Sequence, residues 1–195
     1  MNKGVHNQVY IIAEVGINHE GSVETCAKMI NAVADVGADA VKLQTIDAKE
    51  NYLENTESYK VFKDSELTRQ ETADMFSLAR DRDLDVFTTA GDISTVEWVE
   101  KLEPSCWKIS SGLLTHIPMV RHLASLGRPL LVSTGMASTE DIDLAIETIK
   151  STGNNDISLL QCTSLYPAPL DSLNLSTIGW LKKNMVIVLV FLIIL

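Results

Sequence analysis

Two lysines lie where apolar, strand-like runs are expected to end. Lys42 belongs to the run at residues 40–44, and Lys108 belongs to the run at residues 107–109. A buried ammonium group is costly unless an anion or a carboxylate lies beside it. The pattern therefore predicts that each lysine meets a negatively charged group. The alternative is that each side chain extends to the surface and meets an exposed aspartate.

Short hydroxyl side chains follow other apolar runs in the same way. Thr89, Ser111 and Ser133 lie at or just after the end of such runs. Gly112 and Gly135 allow backbone N–H groups to approach a bound group closely. Cationic side chains combined with short donors form a site for phosphate or carboxylate. The sequence therefore predicts an anion-binding site.

Glu14 ends the first apolar run, shortly before Asn18 and His19 in the turn that follows. A carboxyl group at this position is suited to act as a general acid or base. The alternative is a structural carboxylate that pairs with Lys42 on the neighbouring strand, and the two roles are compatible.

The cysteines and histidines show no metal-ligand spacing. The three cysteines are far apart, without the paired spacing of a zinc site or a secreted disulfide framework, and the histidines are dispersed. Cys162 is a candidate nucleophile, but without an evident histidine partner we interpret it as a small buried residue. We therefore expect reduced thiols, a cytoplasmic location and no metal site built from these residues.

Six β-rich runs position these residues: 9–15, 40–44, 85–89, 107–109, 130–133 and 157–161. Helical spacing of apolar residues separates them. Ser22 is a predicted N-cap with Gly37 ending the first helix, and Ser138 with Asp141 resembles a capping pair. Apolar strands joined by single helices predict a parallel sheet that is covered on its faces.

A doubly wound sheet and a (β/α) barrel both have this element order. Strand ends converge on one mouth in a barrel, whereas in an open sheet they are spread along an edge. Polar residues at almost every strand end favour the barrel, and no Gly-x-Gly-x-x-Gly follows the first strand. The prediction is an α/β fold, an incomplete (β/α)8 TIM-type barrel with about six βα units present. The polar segment at residues 47–68 is predicted to be a loop over the mouth.

Charge and hydropathy limit the partners. The formal net charge of −10 and the lack of a basic patch argue against nucleic acid. Residues 1–8 are polar and show no signal peptide. The apolar run at residues 185–195 is about half the roughly 20 residues of a membrane span, and it exceeds the roughly 4–8 residues of a buried strand. We therefore expect no membrane partner, a partial barrel at residues 1–184, and an anomalous apolar tail at 185–195 that is not native barrel sequence.

Five motifs occur in the order in which the sialic acid synthase (N-acetylneuraminate synthase) family has them: IIAEVGINHEGS, VKLQT, WKISSG, GRPLLVSTGM and LLQCTSLYPAP. The resemblance covers residues 9–181 and implies the N-terminal portion of that family's barrel. Members condense phosphoenolpyruvate with an N-acetylated amino sugar to give a nonulosonic acid and phosphate, a step of carbohydrate biosynthesis. The resemblance further implies a divalent metal, manganese or magnesium, and a homodimer for the full-length relative. It also implies a small antifreeze-like C-terminal domain, which we expect to be absent from this fragment.

The resemblance assigns roles to individual residues. It implies catalytic roles for Glu14, Lys42 and Lys108, and substrate-binding roles for Asn18, Gln44, Thr89, Ser111, Ser133, Ser164 and Tyr166. Ser164 replaces the family's asparagine, and Leu113 stands where the family has an acidic contact for the amino sugar. The family's two metal-binding histidines lie beyond the sixth strand and have no counterpart here. We therefore expect this fragment alone to be inactive.

Two other functions remain open from the residues. Lys42 or Lys108 would form a Schiff base with a carbonyl substrate if the chain were a class I aldolase. The chain would alternatively be a non-catalytic truncated product that binds phosphoenolpyruvate weakly or not at all.

Overall fold

A computed structural model describes residues 9–165, 167–185 and 188–191. The chain divides into two compact units, of which the first ends at Cys106 and the second begins at Trp107. None of the described helices is long and apolar enough to cross a membrane.

From residue 9 on, where the structure describes it, the first unit holds three parallel strands and five α-helices in the order β1 (Ile12–Gly16), α1 (Val23–Asp35), β2 (Ala40–Thr45), α2 (Ala48–Asn51), α3 (Glu57–Asp64), α4 (Arg69–Asp81), β3 (Asp85–Ala90) and α5 (Ile93–Val99). Strand β2 lies between β1 and β3 and pairs with both. The core of this unit contains fully buried apolar side chains, among them Ile30, Val41, Phe76, Phe87 and Val96. Burial of these side chains holds the helices against the strands.

Side-chain caps set where the helices of this unit begin. The Ser22 hydroxyl accepts a hydrogen bond from the backbone of Thr25, which confirms the predicted N-cap of α1. Thr68 and Glu71 form a reciprocal capping box at α4. These local bonds satisfy backbone N–H groups that the first turn of a helix leaves without partners.

Two sequence predictions in this unit are wrong. Residues 47–68 contain α2 and α3 rather than only a loop, because the side chains of Asp47 and Thr56 each cap a short helix. Strand β1 begins at Ile12 rather than at residue 9. The backbone N–H of Ile11 donates to the side chain of Asp39 instead of to a neighbouring strand.

The second unit alternates strands and helices: β4 (Trp107–Ile109), α6 (Ile117–Ser125), β5 (Leu130–Ser133), α7 (Thr139–Ser151), β6 (Ile157–Gln161), α8 (Ser176–Asn184) and β7 (Val188–Phe191). The four strands are parallel and pair in chain order. Trp107, Ile109, Leu130 and Ile149 are fully buried in its core. The predicted pair Ser138 and Asp141 forms a capping box at α7, and the prediction is confirmed.

The apolar run at residues 185–195 contributes strand β7. The backbone of Val188–Phe191 pairs with β6 in a register that aligns Val188 with Ser158. The expectation that the run fits neither helix nor strand is wrong for these residues, because the strand takes up only the middle of the run. Residues 186, 187 and 192–195 lie outside the described residues, and the domain boundary after residue 184 stays a prediction.

Candidate active site

Strand register places four predicted site residues on one face of the first unit. Glu14 pairs with Lys42 across β1 and β2, and Gln44 pairs with Thr89 across β2 and β3. Residues two apart on a strand point to the same face, so Lys42 and Gln44 share it. The residues therefore lie together at the carboxyl ends of these strands, as the sequence predicts.

Lys42 forms an ion pair with Glu14. Its Nζ lies 2.8 Å from Glu14 Oε1, and the two side chains are 5% and 12% exposed. The structural pairing considered for Glu14 is therefore confirmed, whereas its role as an acid or base stays a prediction. The negative group expected beside Lys42 is this carboxylate.

Gly16 makes room for the carboxylate. Strand β1 is irregular between Glu14 and Gly16. Gly16 has a φ of +56°, a backbone conformation that residues with a Cβ rarely adopt. A Cβ at this position would lie 3.1 Å from Glu14 Oε1 and 3.4 Å from Gln44 Oε1. The glycine thus allows both polar side chains to come together beside the strand end.

The second unit holds the other predicted lysine. Lys108 is 4% exposed, and its Nζ donates to Ser133 Oγ at 2.5 Å and to the carbonyl of Ile109 at 3.1 Å. Both lysines are therefore buried, and the alternative in which they extend to surface aspartates is wrong. Because Ser133 Oγ accepts from Lys108, its own hydrogen is available to an oxygen of a bound anion.

The loops after β5 and β6 pack closely beside Ser133. The backbone N–H of Gly135 donates to Ser111 Oγ at 3.2 Å, and a Cβ on Gly135 would lie 2.8 Å from the carbonyl oxygen of Cys162. The Cys162 thiol lies 3.3 Å from Ser133 Oγ and is half-buried. The interpretation of Cys162 as a small buried residue thus did not foresee its contact with Ser133, a predicted substrate-binding residue.

The other three predicted residues are placed differently. Asn18 is exposed in the turn after β1, and its backbone N–H donates to the carbonyl of Val15. Ser164 is exposed after β6, but its Oγ lies 2.9 Å from the position of a Cβ on Gly135, beside Cys162. Tyr166 lies outside the described residues. Their substrate-binding roles stay predictions.

Sequence reasoning also missed a buried histidine. His19 is 2% exposed, and its Nδ1 accepts a hydrogen bond from the backbone N–H of Gly21 at 3.2 Å. Burial lowers the pKa of His19, so the imidazole is neutral near pH 7. His19 and Gln44 line a cavity of about 180 Å³ within the first unit. The local signal for this residue was the turn sequence GINHEG, which does not predict burial. The burial of His19 depends on contacts with residues that are distant in the sequence.

The described residues contain no group of three or more His, Cys, Asp and Glu side chains that would hold a metal ion. The described residues therefore do not fit the divalent metal that the resemblance implies.

The fold class follows from the strands and from solved structures. Sialic acid synthetase from Leptospira borgpetersenii, solved with citrate, superposes with a TM-score of 0.91 at 29% identity over 95% of this chain and 65% of that one. The spore coat polysaccharide biosynthesis protein SpsE of Bacillus subtilis superposes with a TM-score of 0.86 at 32% identity, over 96% of this chain and 53% of that one. The fold is an incomplete (β/α) barrel, and the sequence prediction is confirmed.

The chain belongs to the NeuB family, which it matches over residues 29–190. It is also 32% identical to the N,N'-diacetyllegionaminic acid synthase of Legionella pneumophila over 93% of this chain and 56% of that protein. The predicted sialic acid synthase family is therefore confirmed. The chain spans about half the length of the curated relatives it matches.

Proposed function

We propose that this chain carries substrate-binding and catalytic residues of a nonulosonic acid synthase, which condenses phosphoenolpyruvate with an N-acetylated amino sugar. The observation that carries the proposal is the pairing of a buried lysine with a hydroxyl at a strand end, Lys108 with Ser133. Named relatives include synthases of legionaminic and pseudaminic acids, both of the nonulosonic class.

In the proposed reaction, C3 of phosphoenolpyruvate adds to the aldehyde carbon of the sugar. Water adds at C2, and phosphate then leaves. Lys108 and the hydroxyl group of Ser133 bind an anionic group of phosphoenolpyruvate, because charged donors in a desolvated site bind such oxygens strongly. Within the first unit, Glu14 is the candidate acid or base of the proposed reaction, and Lys42, whose Nζ lies 2.8 Å from Glu14 Oε1, holds this carboxylate in place.

The test is phosphoenolpyruvate binding measured by calorimetry with Lys108→Ala. Losing a charged hydrogen bond costs about 1.5–3 kcal/mol, so the affinity should fall by roughly 10- to 150-fold. Lys150→Ala, at an exposed position of α7, removes the same charge away from the strand ends and should leave binding unchanged. Equal affinities of Lys108→Ala and the unchanged protein would refute the assignment of Lys108.

The second candidate is a class I aldolase, which the burial of Lys108 at a strand end also suits. Its nucleophile would be trapped by borohydride in the presence of pyruvate, and peptide mass spectrometry would locate the adduct. A reduced adduct on Lys108 or Lys42 would favour the aldolase and contradict the synthase, since the proposed condensation forms no bond to a lysine.

A further inference from the structure

The thiol of Cys162 lies next to the hydroxyl group that the proposed function places on the anion. Its Sγ lies 3.3 Å from Ser133 Oγ, which in turn lies 2.5 Å from Lys108 Nζ. Ser133 and Lys108 are buried, Cys162 is half-buried, and all three belong to the second unit. The hydrogen of the Ser133 hydroxyl therefore has two possible acceptors, a bound anion and the sulfur of Cys162.

The hydrogen bonds around Leu160 decide where the thiol donates. The carbonyl oxygen of Leu160 accepts from the backbone N–H of Thr134 at 3.1 Å and from the Thr134 hydroxyl at 3.0 Å. A carbonyl oxygen has two lone pairs, so these two donors occupy it. The Cys162 sulfur lies 3.5 Å from the same oxygen, farther than the 3.3 Å that separates it from Ser133 Oγ. The S–H group therefore donates to Ser133.

A count of donors and lone pairs then defines what the Ser133 hydroxyl can do. A hydroxyl group has two acceptor lone pairs and one hydrogen, and an ammonium group only donates. Lys108 therefore occupies one lone pair of Ser133 Oγ, and the S–H group of Cys162 occupies the other. The Ser133 hydrogen is left for a third group. Without the S–H donor, one lone pair would be unoccupied and the hydroxyl could rotate among several orientations.

Packing of the loops after β5 and β6 holds the thiol at this distance. A Cβ on Gly135 would lie 2.8 Å from the carbonyl oxygen of Cys162 and 3.1 Å from its Cβ. The glycine thus lets the backbone and the side chain of Cys162 approach the loop that follows Ser133. A donor that is already held in place reduces the cost of ordering the site when a ligand binds.

We propose that Cys162 is a positioning residue for the anion site, and that its S–H group, by donating to Ser133 Oγ, directs the Ser133 hydrogen to the anionic group of phosphoenolpyruvate. The inference rests on the proposed function, which assigns that anion to Lys108 and Ser133. The sulfur forms no covalent bond in this role. Cys162 acts through Ser133 rather than on the ligand itself.

The first experiment tests the hydrogen bond without any ligand. The infrared S–H stretching band is separate from the other bands of a protein, and its frequency falls when the S–H group donates. Subtracting the spectrum of Cys162→Ala from that of the 195-residue protein isolates the Cys162 band. The same subtraction in a Ser133→Ala background should give a band at higher frequency, because the acceptor is lost. An unchanged band would overturn the inference, whether or not phosphoenolpyruvate binds.

The second experiment measures phosphoenolpyruvate affinity by calorimetry. Cys162→Ala removes the donor, and the loss of a weak hydrogen bond of this kind should lower the affinity by about two- to fivefold. Cys162→Ser keeps a donor and should restore the affinity. In a Ser133→Ala background, Cys162→Ala should have no further effect, because the group that it positions is gone. Cys26→Ala is the matched control, since it removes a fully buried thiol from the first unit and should leave the affinity unchanged.

The outcomes separate this inference from the proposed function. Equal affinities of Cys162→Ala and the unchanged protein would overturn the positioning role, and so would the same loss with and without the Ser133 hydroxyl, which indicates a purely structural effect. Phosphoenolpyruvate binding that depends on Lys108 would survive both results. If no phosphoenolpyruvate bound, the proposed function would be wrong and the positioning role would fall with it, whereas the infrared shift would still show that Cys162 donates to Ser133.

Discussion

At the scale of single residues, the two predicted lysines are both buried but differ in what they contact. Lys42 donates to a carboxylate, Glu14, whereas Lys108 donates to a hydroxyl, Ser133. An ammonium group with a carboxylate partner forms a neutral pair, so Lys42 holds the Glu14 carboxylate in place. Ser133 Oγ accepts from Lys108 and can donate its own hydrogen to an anion, so these two side chains together are the candidate anion site of the second unit.

The Glu14–Lys42 pair predicts a large stability effect. Glu14→Gln leaves a buried ammonium without its carboxylate and should lower the free energy of unfolding by about 3–5 kcal/mol, measured by urea denaturation. The double variant Glu14→Gln/Lys42→Met should regain part of that loss. Glu24→Gln breaks an exposed pair with Lys28 and should change stability by only about 0–1 kcal/mol. Equal effects of the two single variants would contradict the burial of the Glu14 pair.

Gly135 is predicted to be essential for the packing beside Ser133. Gly135→Ala would place its Cβ 2.8 Å from the Cys162 carbonyl oxygen, so the backbone must shift. Overpacking of this kind costs about 1–3 kcal/mol, which thermal unfolding should detect. Gly112→Ala is the matched control, because its Cβ would meet nothing within 4 Å. A Gly135→Ala protein as stable as the control would refute this close approach.

At the scale of elements, the short helix α5 depends on the carboxylate of Asp92. Burial opposes ionisation of Asp92, but hydrogen bonds from Ser94, Thr95 and Asn51 outweigh it and lower the pKa of the carboxyl group. The Asp92 side chain accepts from the backbone of Thr95 as the N-cap. The ionised form therefore stabilises the start of α5 and also holds the end of α2 through Asn51.

The lowered pKa predicts how stability changes with pH. An aspartate with a folded pKa below its unfolded value contributes stability that is fully present above about pH 4 and is lost as the pH falls through the folded pKa. Asp92→Asn cannot titrate, so it should be less stable than the unchanged protein at pH 6, and the difference should shrink on acidification. Urea denaturation from pH 6 to pH 3 measures it. A difference that is independent of pH would show that the charge of Asp92 does not stabilise the helix.

At the scale of the whole molecule, each unit has its own apolar core and holds its cysteines differently. Cys26 and Cys106 are fully buried, whereas Cys162 is half-buried beside Ser133. Burial raises the pKa of the Cys26 thiol to about 11, which further suppresses the reactive thiolate. The accessible thiol of the folded chain is therefore the one beside the candidate site.

This burial predicts a thiol titre. With an aromatic disulfide reagent at pH 8, one thiol should react quickly in the native protein, and all 3 should react in denaturant. Cys162→Ser should remove the fast phase. Fast reaction of all thiols under native conditions would show that the described cores are not formed.

Local sequence alone determined the elements of this protein and their order. Apolar runs predicted all six strands between residues 9 and 161, and Ser22 and Ser138 marked two helix starts, because caps and periodicity depend on neighbouring residues. Polar residues at strand ends, together with five motifs, indicated the barrel and the family. The short helices between residues 47 and 68 were not predicted from the sequence, because a single capping side chain gives only a weak signal for a helix.

The tertiary structure alone decided which side chains meet. The pairing of Glu14 with Lys42 and of Cys162 with Ser133 joins residues 28 and 29 positions apart. Strand register and loop packing set these contacts, and a shift of one residue in either strand would turn the side chains to the opposite face. The burial of His19 and the cavity it shares with Gln44 have the same origin, since several distant segments enclose them. Spacing along the chain predicts where a polar residue lies on a strand, whereas its partner is determined by packing that no local pattern encodes.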